Sequence, residues 1–156
     1  VEVIARAADI LGDPAKYRPT SKETADHSLP YSLAVGLVDG MVTPLQFKQE
    51  RIDDVSLHSV MDKVKVLPND EFESLFPEFQ PSRVTITLKD GSDYQERVDV
   101  PKGDPRDPMT EQEIAVKFNA LGSDVVGEKS CENLKALIMN IDTESSLKEL
   151  FNLMTE

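Results

Sequence analysis

Residues 82–100, SRVTITLKDGSDYQERVDV, decide the class of fold. Val84, Ile86 and Leu88 alternate with Thr85, Thr87 and Lys89, the period-two pattern of a strand with one apolar face. Asp90-Gly91 supplies a turn, and Tyr94, Glu96, Val98 and Val100 resume the alternation on a return strand. Two such runs around an Asp-Gly pair predict a hairpin with one buried face. The flanking segments read mostly as helix, so the expected class is α+β: two layers, with helices packed on a small, largely antiparallel sheet.

Toward the C-terminus, PKGDPRDPMT (101–110) is a Pro/Gly-rich connector. Thr110 and Glu113 have the spacing of a capping box, opening a helix to Leu121 with Ile114, Ala115, Phe118 and Leu121 as its buried stripe. Gly122 and Gly127 are expected to separate it from a second helix bearing Leu134, Leu137, Ile138 and Ile141. Leu147, Leu150, Phe151 and Met154 repeat the spacing a third time.

Toward the N-terminus, KVKVL (63–67) alternates like a half-exposed strand. Val1 and Val3 predict a short strand leading into a helix that ends at Gly12-Asp13-Pro14. PAKYRPTSK (14–22) has the prolines and polar residues of an irregular connection. From Leu29 to Val38 the residues are apolar nearly all round, which predicts a helix buried on most sides and stopped by Asp39-Gly40. Asp26 or Ser28 can cap it, with Pro30 in the first turn. Thr43-Pro44 opens a helix to about Arg51, and Asp54 opens another that carries Val55, Val60 and Met61.

The chain has 156 residues and a formal charge of -12, enough length for one domain with a real core. That charge argues against a general nucleic-acid binder, which needs clustered Lys and Arg. No apolar run reaches the roughly 20 residues needed to span a bilayer. The single cysteine, Cys131, excludes an internal disulfide framework and suits a reducing cytoplasm; it reads as a small packing residue. Two histidines and one cysteine, widely spaced, make no recognisable metal set. Val1 falls within what reads as an ordered element, as in a piece of a longer protein.

Asp26-His27-Ser28 places an acid, an imidazole and a hydroxyl side by side. Adjacent residues at a helix start point in different directions, so a self-contained triad is disfavoured. Two readings stay open. In one, the helix N-terminus binds an anion and His27 adds a hydrogen bond or a proton. In the other, Asp26 or Ser28 is a cap and His27 satisfies a backbone carbonyl. His58 reads as a solvated surface residue.

The run KETADHSLPYSLAVGLVDG (22–40) resembles the C-terminal domain of the 2-methylcitrate dehydratase family, MmgE/PrpD. GDPAKYRPTS (12–21), KVKV (63–66) and VTITLKDGSDYQERVDVPKGDPRDPMTEQEIAVKF (84–118) extend the resemblance, in order, over most of residues 1–122. It implies that 1–156 is a single α+β domain, the smaller one, with an N-terminal helical domain absent from this chain. Family enzymes dehydrate 2-methylcitrate to 2-methylaconitate, decarboxylate cis-aconitate or epimerise iminodisuccinate, without iron–sulfur clusters or another cofactor, typically as homodimers. The expected role is therefore to cover the cleft of a 2-methylcitrate dehydratase-type lyase, inactive alone. A decarboxylase or epimerase, or a non-catalytic dimerisation module, is the alternative. The resemblance points to His27 as the catalytic candidate and to Tyr17 and Arg18 as contacts for a small tricarboxylic acid, while most catalytic groups belong to the missing domain.

Overall fold

A computed structural model describes residues 1–154; the last two residues of the expected domain lie outside this range. The chain forms two compact units, Val1–Asp107 and Pro108 onward.

The first unit holds a four-stranded sheet in the order β2-β1-β3-β4, with β1 Glu2–Val3, β2 Leu67–Pro68, β3 Ser82–Thr87 and β4 Asp93–Val98. β1 runs parallel to β2 and antiparallel to β3, and β3 and β4 form the expected hairpin, pairing Val84 with Glu96 and Ile86 with Tyr94. The α+β class is as read from the sequence. Burial on the hairpin is one-sided only for β3: Val84 and Ile86 are half-buried, whereas Tyr94 and Val98 are exposed.

KVKVL does not form the second strand as a whole; pairing starts at Leu67. The Val64 carbonyl accepts from the Tyr17 hydroxyl, 2.9 Å away, the Lys65 carbonyl accepts from the Val1 amino group, and Leu67 and Asn69 then donate to the carbonyls of Val1 and Val3.

Helices α1 (Ala5–Leu11), α2 (Lys22–Asp26), α3 (Leu29–Asp39), α4 (Gln49–Ile52) and α5 (His58–Met61) surround a core of Ala25, Tyr31, Ala34, Val35, Ile52, Leu57 and Met61, with α1 beside the sheet. Pro30 lies in the first turn of α3, and Gly40, at a left-handed φ of 71°, ends it as expected. Burial on most sides holds only for its first half, because Leu37 and Val38 are exposed.

The helix expected from Thr43 to Arg51 is broken. Thr43 and Gln46 close a reciprocal capping box around one tight turn, Pro44–Phe47. The Gln46 carbonyl, which a continuing helix would offer to the amide four residues on, accepts from the buried Tyr31 hydroxyl. Lys48 is therefore extended, and α4 starts afresh. Val55 likewise leaves its expected apolar position for solvent, while Leu57 and Met61 fill the core.

Helix α6 (Asp70–Leu75), capped by Asn69, carries the buried Phe72. Arg83 and Arg97 each stack a guanidinium on its ring at 5.0 Å, and both pair with Glu71.

The second unit consists of α7 (Glu111–Val126), α8 (Glu128–Met139) and α9 (Lys148–Leu153). The Thr110/Glu113 capping box is present. α7 does not stop at Leu121; it continues through Gly122, and Gly127, with φ 81°, makes the break. Gly122 serves packing instead, since a Cβ there would lie 2.7 Å from Cys131 Sγ. Cys131 is buried in this contact, as a packing residue should be.

Candidate functional site

The site centres on the joint between α2 and α3. Ser21 caps α2 through a capping box with Thr24, and the α2 residue Ala25 is fully buried. Ser28 caps α3: its Oγ accepts from the Tyr31 amide at 3.0 Å and donates to the Lys16 carbonyl at 2.6 Å. Ala25 and Ser28 both point inward, so the residues between them turn outward. Asp26 is thus not a cap for α3. It is the last residue of α2, and its carboxylate faces His27.

The His27 side chain is 66% exposed. Its Nδ1 lies 2.6 Å from Asp26 Oδ1 and 3.0 Å from the Glu23 carbonyl oxygen. A carboxylate and a carbonyl only accept, so both contacts are hydrogen bonds when Nδ1 carries the proton. Nε2 has no protein partner among the described residues and faces solvent. The Asp26 hydrogen bond, then the Glu23 carbonyl, raise the imidazole pKa above its usual value, against an opposing push from the nearby Lys16 ammonium. Both readings left open by the sequence therefore keep a part: Ser28 is a cap and His27 meets a backbone carbonyl, yet one ring nitrogen stays available. The helix N-terminus itself offers an anion little. Pro30 has no N–H, and the amides of Tyr31 and Ser32 are taken by Ser28.

Tyr17 and Arg18 lie elsewhere in their contacts. Tyr17, half-buried against the core, spends its hydroxyl on the Val64 carbonyl. Arg18 pairs with Asp62 at 2.7 Å. Among the described residues neither bonds to His27; together they anchor segment 62–64. That segment borders an open trough of about 520 Å³ floored by Leu33, Leu37, Val84 and Ile86 and edged by Lys63, Lys65 and Arg83. Arg83 is already paired with Glu2 and Glu71. In the second unit another open trough, about 510 Å³, lies between α7 and α8, and its one cation, Lys135, is held by Glu132.

The sequence sets Asp26 beside His27 but, with adjacent residues expected to point apart, does not announce their direct hydrogen bond, nor the nearness of Lys16. The signal available was the four-residue step from Glu23 to His27, which brings a ring at a helix end back over an unpaired carbonyl. No group of three or more His, Cys, Asp or Glu side chains is placed to hold a metal ion among the described residues. No helix among them is long and apolar enough to cross a membrane.

The helices and small mixed sheet fit the resemblance, and the comparison with known families agrees on the family. Residues 1–143 match the MmgE/PrpD C-terminal domain, and the chain belongs to that family. Cis-aconitate decarboxylase of Mus musculus is 29% identical over 128 residues, covering 80% of this chain and 25% of that protein. The Homo sapiens enzyme of the same name is 27% identical, covering 80% of the chain and 26% of its own length. For that of Aspergillus terreus the values are 27%, 88% and 28%. The chain spans about a quarter of the length of these curated relatives.

Proposed function

We propose that this chain is the cleft-covering domain of a lyase acting on a compact tricarboxylic acid, with decarboxylation of cis-aconitate as its reaction, and that His27 supplies a proton at the edge of the cleft. The remaining catalytic groups belong to a helical domain that this chain does not contain, and the working assembly is a homodimer. The relatives' names favour decarboxylation over the dehydration of 2-methylcitrate.

The observation that carries the reading is the free Nε2 of a pinned, exposed histidine within the family domain. Loss of CO2 breaks a carbon–carbon bond and leaves its electron pair in the conjugated system of the remaining carboxylates. A proton must then be delivered to carbon, which calls for an acid with a pKa near the working pH. An imidazolium whose pKa is raised by Asp26 suits that task. Lys16 adds positive charge beside it, where a substrate carboxylate can be held. The apolar side chains of Leu37, Val38, Met41 and Val42, each about half exposed, supply a surface for a covering domain.

The test is CO2 release from cis-aconitate by this chain alone, by the protein including its helical portion, and by that protein with His27→Gln. The expected order is negligible, active, and reduced by roughly a hundredfold in kcat/KM. Turnover by the chain alone, an unaffected His27→Gln variant, or preferential dehydration of 2-methylcitrate would overturn the proposal.

A further inference from the structure

We infer that Asp26 is a positioning residue for His27: it selects the tautomer with the proton on Nδ1 and leaves Nε2 as the nitrogen that exchanges protons with substrate. The inference rests on the reading of His27 as a proton donor, but the two can fail separately.

A neutral imidazole can carry its proton on either nitrogen, and only one choice leaves the exposed nitrogen free to work. Here Nδ1 faces two acceptors and no donor, Asp26 Oδ1 at 2.6 Å and the Glu23 carbonyl at 3.0 Å. The arrangement is held from both sides. The Ser21–Thr24 capping box and the buried Ala25 fix the backbone before Asp26, and the two hydrogen bonds of Ser28 fix it after His27. Asp26 and His27 then have little left to vary but their side-chain torsions, and the short Nδ1–Oδ1 hydrogen bond settles those.

The proton inventory closes. In the charged ring Nδ1–H stays on Asp26 while Nε2–H passes its proton to substrate carbon. The neutral ring keeps the Nδ1–H, and Nε2 is reprotonated from solvent. The charged groups near the ring are Asp26, which favours its cationic form, and Lys16, which opposes it.

The experiment is NMR of protein labelled with 15N-histidine, recorded from pH 5 to 9. This chain has two histidines, so His27→Gln assigns the signals. The expected neutral ring carries its proton on Nδ1 and has a titration midpoint above that of free imidazole. Asp26→Asn, which keeps an acceptor but removes the charge, lowers the midpoint; Asp26→Ala lowers it and mixes the tautomers. A neutral ring protonated on Nε2, or a midpoint unmoved in both variants, overturns the inference. In the protein with its helical portion, Asp26→Ala is expected to lower kcat about tenfold with little change in KM, and to move the alkaline limb of the rate profile to lower pH. An unshifted limb counts against the inference. If His27→Gln retains activity while the tautomer is as described, only the catalytic reading fails. If His27→Gln is inactive but the tautomer is absent, only the role of Asp26 fails.

Discussion

Gly122 and Cys131 meet at the crossing of α7 and α8 so closely that a Cβ on the glycine would lie 2.7 Å from the cysteine sulfur. Two effects oppose each other at this position. Alanine is favoured over glycine within a helix by about 1 kcal/mol, while overpacking a tight contact costs about 1–3 kcal/mol. Gly122→Ala is therefore expected to destabilise the α7–α8 pair. In a Cys131→Ala background the same change should stabilise it, because the sulfur is gone. Thermal melts of the four proteins in a double-mutant cycle check this; the same sign in both backgrounds would refute the contact.

Ser28 has two obligations, the Tyr31 amide and the Lys16 carbonyl, and is almost wholly buried. Ser28→Ala removes an N-cap and a buried hydrogen bond, with an expected loss of about 2 kcal/mol. Denaturant unfolding measures it. Because the lost bond also ties the 14–17 turn to α3, His27 should lose its defined titration behaviour in the same variant.

Arg51 joins the end of α3 to the segment after it by pairing with Asp39 and Asp54. The arginine hydrogen bond is the main cause holding the Asp39 carboxyl below its usual 3.8; for Asp54 the Ser56 hydrogen bonds come first. A depressed folded-state pKa contributes stability above the unfolded value, and that contribution is lost as pH falls through the folded one. Arg51→Met should lower the melting temperature near neutral pH. Its difference from the parent should shrink as the pH falls below about 4. A difference that is constant from pH 7 to pH 2 would mean the pairs contribute packing alone.

Phe72 is buried between α6 and the sheet, beneath two guanidinium groups. Phe72→Ala is expected to cost about 3–5 kcal/mol. Phe72→Leu keeps most of the volume and loses the ring, so its smaller cost isolates the cation–π contacts at roughly 1–2 kcal/mol. Double variants with Arg97→Met should be non-additive by a similar amount.

The hairpin, α3 and the Thr110/Glu113 start were legible in the sequence because local signals decide them: alternation about Asp-Gly, a Ser cap with Pro in the first turn, and a capping box. The misreadings arose where distant partners intervene. Nothing local to Gln46 announces that Tyr31 will claim its carbonyl, or near Val64 that Tyr17 will do the same. Helix α2 was missed because five residues give too short a period, and α6 because its acidic first turn hides the one buried ring. Gly122 looked like a break, since the sequence does not distinguish a glycine required by a neighbour from one required by a turn. His27 was singled out through resemblance. Its partnership with Asp26 became visible only once α2 had a defined end.

The strand order β2-β1-β3-β4 puts the first-made strand in the middle of the sheet, with an ion pair from Glu2 reaching Arg83, 81 residues along the chain. During synthesis those opening residues must wait, unpaired, until both flanking strands exist, whereas the α2–α5 cluster draws on neighbours already made. Assembly should thus proceed from a helical nucleus to a late-closing sheet, since long loops are entropically expensive to close before their contacts reward it. β1 is the keystone of the sheet: without Glu2 and Val3, nothing would join β2 to the β3–β4 hairpin.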